Sequence, residues 1–243
     1  MLGIETSWRV GSVAVAIDGT VAARRFLTTP SEHASGLIPA VRRVLHEAAA
    51  GLDELTGIVV GAGPGSFTGV RIGGAAAKGL ATSLDVPLYA TSSLRAACCA
   101  EEVVGTGAGL PPELRDEGDP PGRAAKPRDL AGDEREHRYV LLDARHGRVY
   151  GASYDVGADG PVEVTAPHGG TVVEVINARP SRGVVFVGEG ARAYRTLLRA
   201  AGYGTRPYPA GVPLADAVLS YCSWDPVDAS AWEPEYVRRW RPG

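Results

Sequence analysis

The stretch GAGPGSFTGVRIGGAAAKGLA, Gly61 to Ala81, constrains the fold of this chain more than any other. It follows Ile58-Val59-Val60, which reads as a buried strand, and Val70 to Leu84 within and beyond it reads as a helix. A strand, a glycine turn and a helix start bring free N–H groups and a helix dipole to one point, the arrangement that holds a phosphate. The spacing meets neither sharp test. No Lys-Ser/Thr follows the last glycine, and Gly61, Gly63 and Gly65 do not fall as G-x-G-x-x-G. Gly73, Gly74 and Gly79 then lie inside the helix, each at up to about 1 kcal/mol against alanine, together roughly 3 kcal/mol. Gly73, Ala76, Ala77, Leu80 and Leu84 recur at helical spacing with mostly small side chains, so another helix can approach that face closely. The spacing leaves two readings open: packing within the lobe, or an interface with another subunit.

Around this stretch one order of elements occurs twice. Leu2 to Thr6, Ser12 to Ile17 and Val21 to Leu27 read as a three-stranded meander with a hairpin turn at Asp18-Gly19. Leu37, Val41, Val44, Leu45 and Ala48 mark a helix, with Pro39 tolerated in its first turn. From Tyr139 the series repeats. YVLLDA is a strand, Arg148 to Tyr154 returns across His146-Gly147, Val162 to Thr165 is a third strand, and Val172 to Ala178 a helix. Val184 to Val187 is a strand, Ala191 to Ala201 a helix, and Leu214 to Trp224 a last helix before an extended tail. Duplicated βββαβα units predict an α/β fold of two similar lobes facing a cleft, the ribonuclease H-like architecture of actin, hexokinase and the heat-shock ATPases. The division expected is residues 1–100 for the N-terminal lobe, 101–137 for an insertion or linker, and 138–243 for the C-terminal lobe and tail. Gly105 to His137 is dense in Pro, Gly and charge and cannot bury enough apolar surface to fold alone.

Composition removes several function classes. A chain of 243 residues with 44% apolar content can pack a core, and a formal net charge of -3 leaves RNA contact weak or shared. Cys98, Cys99 and Cys222 are an odd count without C-x-x-C spacing, which argues against a disulfide framework or a zinc site and for a reducing cytoplasm. MLGIETSWRV has no basic region followed by an apolar run, and no segment is apolar for long enough to span a bilayer.

Candidate catalytic groups are few. Glu5 ends the first strand and Asp143 the equivalent strand of the second half. Such a pair can organise a magnesium-bound phosphate, but hairpin-end and capping roles suit the same residues and are the favoured reading. His33 and His46 are thirteen positions apart, unlike metal ligands on one helix. Ser66 and Thr68 have no evident His and Asp partners, and G-P-G-S-F is not a nucleophile elbow.

The segments GIETSWRVGSVAVAIDG, EHASGLIP, GPGSFTGVRIG, LLDARHGRVYGASY, VGEGA and EPEYVRR, in this order over nearly the whole chain, resemble TsaB, also called YeaZ. Glu5 stands where that family commonly has aspartate. The resemblance implies an actin-like, noncatalytic subunit that binds and activates TsaD, which forms N6-threonylcarbamoyladenosine next to the tRNA anticodon. TsaE, an ATPase, joins them, tRNA is met only within the complex, and a homodimer is expected in isolation. The resemblance implies a docking pair of helices, Leu37 to Ala48 and Arg71 to Leu84, with Leu37, Val41, Leu45, Arg71, Gly73, Ala76, Ala77 and Leu80 at the interface. Gly63, Pro64, Gly65, Ser66, Phe67, Thr68 and Gly69 form the family's motif loop. Glu5, Thr6, Ser7, Asp143, Gly188 and Gly190 line a reduced nucleotide cleft. No metal and no cofactor are expected in the isolated subunit, with a nucleotide at the TsaD interface left open. The alternative is an independent ATP-binding or glycopeptidase-like enzyme of the actin-like superfamily; no cluster of acid, base and nucleophile supports the peptidase version.

Overall fold

A computed structural model of the chain describes residues 1–29, 32–100, 111–114 and 134–235. The described residues form two compact units, 1–96 with 213–235, and 97–212. Most of the 101–137 insertion and the arginines Arg238, Arg239 and Arg241 lie outside the described residues.

Unit 1 is built on β1 (Leu2–Glu5), β2 (Gly11–Ile17), β3 (Thr20–Leu27), β4 (Ile58–Gly61) and β5 (Leu88–Thr91), in the order β3-β2-β1-β4-β5. β1 to β3 are antiparallel and β4 and β5 run parallel to β1. Leu2 and Ile4 of β1 and Val13 and Val15 of β2 meet Leu37, Val41, Val44 and Leu45 of α1 (Leu37–Glu47), and Ala77 and Ala81 of α2 (Phe67–Leu84) join the same core. The positions 37, 41, 44 and 45 are one stripe of a helix, which is why this face alone is buried. A short helix, α3 (Ser93–Cys98), follows β5.

Unit 2 repeats the topology with β6 (Glu136–Asp143), β7 (Val149–Gly157), β8 (Gly160–Gly170), β9 (Val185–Val187) and β10 (Gly204–Thr205), in the order β8-β7-β6-β9-β10. Again the first three strands are antiparallel and the last two parallel to the first. Tyr139, Leu141, Phe186 and Val149 form its core with Val172 and Val175 of α4 (Val172–Asn177), Ala191 of α5 (Glu189–Ala193) and Leu198 of α6 (Arg195–Ala200). The duplicated α/β, actin-like fold expected from the element order is therefore present in both units.

Several boundaries differ from the sequence reading. The helix expected over 191–201 is interrupted at Tyr194 (φ −105°, ψ 20°), although 191 and 198 both face the core, so their spacing signals the face and not the break. β6 begins at Glu136, inside the stretch read as linker. α7 (Ala215–Ser220) is shorter than Leu214 to Trp224 and packs in unit 1, on the face of β1 and β2 opposite α1. Gly3 makes this close approach necessary, since a Cβ there would meet Leu219 Cγ at 2.7 Å and the Ala215 carbonyl at 2.8 Å. Ser12 Oγ accepts the Ala215 amide at 2.9 Å, tying the helix start to the strand. The chain after α7 turns extended, and the Val227 amide donates to the Leu88 carbonyl at 2.8 Å, covering the β5 edge.

Candidate functional site

The glycine loop closes around the chain's own residues 5–7. Glu5 is fully buried, and its Oε1 accepts the Ser7 amide at 2.6 Å while its Oε2 accepts the Ser93 hydroxyl at 2.7 Å. A Cβ on Gly61 would overlap this carboxylate, one on Gly65 the Ser7 carbonyl, one on Gly69 the Thr6 carbonyl and one on Gly73 the Thr6 hydroxyl. Thr6 Oγ1 donates to the Gly69 carbonyl at 2.8 Å, and the Ser66 amide donates to the Ser7 carbonyl at 2.6 Å. Several loop amides are engaged within the chain: Ala62 to the Thr91 carbonyl, Gly63 to Ser93 Oγ, and Gly69 to Ser66 Oγ as a helix N-cap. Gly63-Pro64 is a cis peptide. The glycines thus admit neighbouring protein atoms, and Glu5, Thr6 and Ser7 are parts of that packing.

Burial raises the Glu5 carboxyl above its ordinary pKa, against the lowering effect of the Ser7 and Ser93 hydrogen bonds. With both oxygens engaged and no solvent access, it has no open position for a cation. Ser66, with its Oγ on the Gly69 amide, is a cap and not a nucleophile.

The two helices expected to dock pack on one core, and of the interface residues the sequence reading named, Arg71 is the exposed one. Leu37, Val41, Leu45, Gly73 and Ala77 are buried in unit 1 itself, and Ala76 and Leu80 are half-buried against the same core. The small-residue face containing Gly73 and Ala77 is therefore internal packing, because it is the face that meets β1 and Thr6. Arg71 is exposed, its guanidinium 3.7 Å from the centroid of the exposed Phe67 ring. Ala75 and Gly79 are exposed beyond it, each four residues on. Gly74 faces the Trp232 ring, where a Cβ would lie 2.9 Å from the nearest ring carbon, and Lys78 Nζ donates to the Trp232 carbonyl at 3.0 Å. Gly79 differs from Gly69, Gly73 and Gly74, since a Cβ there would meet nothing within 4 Å.

In unit 2, exposed Asp143 uses Oδ1 to accept the Arg145 amide at 2.9 Å, the hairpin-end role favoured by its position. Gly188 (φ +98°) and Gly190 let α5 approach β6, with added Cβ atoms at 2.6 Å from the Leu141 carbonyl and 3.0 Å from Leu141 Cβ. Glu5 and Asp143 belong to different units.

Other polar groups gave no signal in the sequence, and most of their partners are distant along the chain. Arg138, fully buried, donates Nε to Glu136 Oε2 at 2.7 Å and Nη1 to the Cys98 carbonyl at 2.6 Å, and Arg206 pairs with Glu136 Oε1. The Tyr139 hydroxyl and His168 Nε2 lie 2.6 Å apart in the interior, and burial lowers the His168 pKa to about 4. His33 Nε2 lies 3.0 Å from the Gly11 amide nitrogen and 3.2 Å from the Leu27 carbonyl oxygen. Cys98, Cys99 and Cys222 are buried free thiols. Among the described residues no group of three or more His, Cys, Asp or Glu converges for a metal, and no helix is long and apolar enough to cross a membrane.

Residues 28–114 match the family model described as TsaD, tRNA N6-adenosine threonylcarbamoyltransferase. The chain is similar to two proteins named tRNA threonylcarbamoyladenosine biosynthesis protein TsaB. That of Escherichia coli K12 is 40% identical over 39% of this chain and 40% of its own length. That of Bacillus subtilis 168 is 42% identical over 39% of this chain and 41% of its own length. The chain thus matches about two fifths of the length of these curated relatives. A solved structure from Pseudomonas aeruginosa, described as similar to peptidase YeaZ, superposes with a TM-score of 0.71 at 25% identity over 98% of both chains. The chain is thus similar in sequence to TsaB proteins through about two fifths of its length, and in fold to a YeaZ-like structure along nearly all of it.

Proposed function

We propose that this chain takes part in forming N6-threonylcarbamoyladenosine in tRNA, as a noncatalytic subunit that docks on a TsaD-type transferase in the cytoplasm. The observation that carries this reading is Gly79. It lies in the interior of an 18-residue helix, costs about 1 kcal/mol against alanine, and makes room for nothing among the described residues. A helix glycine with no intramolecular neighbour fits a surface that another backbone approaches closely. The docking face consists of Arg71, Ala75 and Gly79 of α2, beside the outer face of α1 with Ile38 and Arg42. In the absence of the transferase the same face pairs with a second copy. The ATPase TsaE joins the assembled complex, which is where tRNA is modified. The chain itself holds no cofactor, and any nucleotide sits at the interface with the transferase.

The test is reconstitution of TsaD, TsaE, tRNA and the threonylcarbamoyl donor with and without this chain, reading modified adenosine by mass spectrometry. Modification is expected to require the chain, to survive Asp143→Ala, and to be lost with Ala75→Glu while the chain's melting temperature holds. Equal modification without the chain overturns the reading.

A further inference from the structure

The tip of the β6–β7 hairpin carries a separate feature. Ala144 and Arg148 close it, the Ala144 amide donating to the Arg148 carbonyl at 2.9 Å. Between them Arg145 (φ +62°), His146 (φ +52°) and Gly147 (φ +75°) are all left-handed. That conformation suits glycine and is strained for residues with a Cβ, yet two of the three positions hold large cationic or basic side chains. Arg145 and His146 are exposed and Arg148 is half-buried. None of these three side chains has a hydrogen bond or ion pair among the described residues, whereas Arg135, Arg138 and Arg206 of the same unit are each paired with a carboxylate. Asp143 does not neutralise them by contact: its bonded oxygen is on the Arg145 amide. Two residues beyond Arg148, in β7, Tyr150 is half-exposed.

We infer that this hairpin tip contacts the phosphodiester backbone of RNA. Arg145 and Arg148 supply guanidinium groups that match phosphate oxygens in pairs, His146 a further donor between them, and Tyr150 a ring face on which a base can stack. The row of basic groups next to an aromatic fits a single-stranded or looped RNA better than an acidic protein surface, which has no use for the ring.

The full chain is tested by filter binding to an unmodified tRNA transcript at low and at moderate salt. Measurable binding is expected at low salt. The Arg145→Gly/Arg148→Ala variant is expected to bind at least about tenfold more weakly there, with a salt slope reduced by roughly 1 to 2. Arg145→Gly alone relieves the left-handed strain, so it should melt no lower than the parent while binding less RNA, which separates contact from folding. No binding by the parent, or an unchanged affinity and slope in the double variant, overturns the inference. Competition by polyglutamate as effective as that by RNA of equal charge also overturns it, in favour of an acidic protein partner.

Discussion

Ser93 holds Glu5 from across unit 1: its hydroxyl donates to Glu5 Oε2 at 2.7 Å, while its own amide donates to the Gly63 carbonyl at 2.7 Å. One residue thus fixes both the buried carboxylate and the loop that encloses it. Ser93→Ala leaves a buried acceptor without its donor and should lower unfolding stability by about 1–3 kcal/mol, measured by urea denaturation. A neutral effect would mean that the carboxylate is not confined as described.

Two glycines of α2 should respond to alanine in opposite directions. Gly79→Ala meets open space and gains helix propensity, so stability should rise by about 1 kcal/mol. Gly73→Ala drives a methyl into the Thr6 hydroxyl and should lower it by about 1–3 kcal/mol despite the same gain. Denaturant midpoints of both variants check the pair. In binding to the proposed partner the order reverses, with Gly79→Ala the more damaging.

Burial holds His168 neutral in the folded state, with its pKa lowered from 6.5 to about 4. Between those values the unfolded chain binds a proton that the folded chain refuses, so stability rises with pH in this window and is lost as pH falls from 6.5 toward 4. His168→Gln keeps a polar group opposite the Tyr139 hydroxyl but cannot titrate there. Its stability should be flatter than the parent's across pH 4.5 to 6.5, read from unfolding curves at several pH values, and equal slopes would refute this.

Glu136 compensates two arginines, Arg138 and Arg206. Glu136→Ala strands the buried Arg138 charge and should destabilise unit 2 by about 3–5 kcal/mol. The double change Glu136→Leu/Arg138→Met removes both ions and should cost less than Glu136→Ala alone. Calorimetric melting of the two variants decides between a coupled pair and two independent effects.

Local pattern made most of the framework legible. The meander Leu2 to Leu27, the stripe Leu37-Val41-Val44-Leu45 and the repeat beginning at Tyr139 each follow from the period of apolar residues and from turn residues, and so does the duplicated topology. β5 escaped because Leu88–Thr91 is too short to show alternation, and the break at Tyr194 because the residues on either side keep the core-facing spacing. The sequence alone determined that the 61–81 glycines require a close approach of something, since bare backbone in a helix and a turn has a local energetic cost whatever the fold. Only the tertiary structure decided what approaches: Glu5, Thr6 and Ser7 at Gly61, Gly65, Gly69 and Gly73, Trp232 at Gly74, and nothing among the described residues at Gly79. Those contacts join residues far apart along the chain, and local periodicity carries no information about such partners.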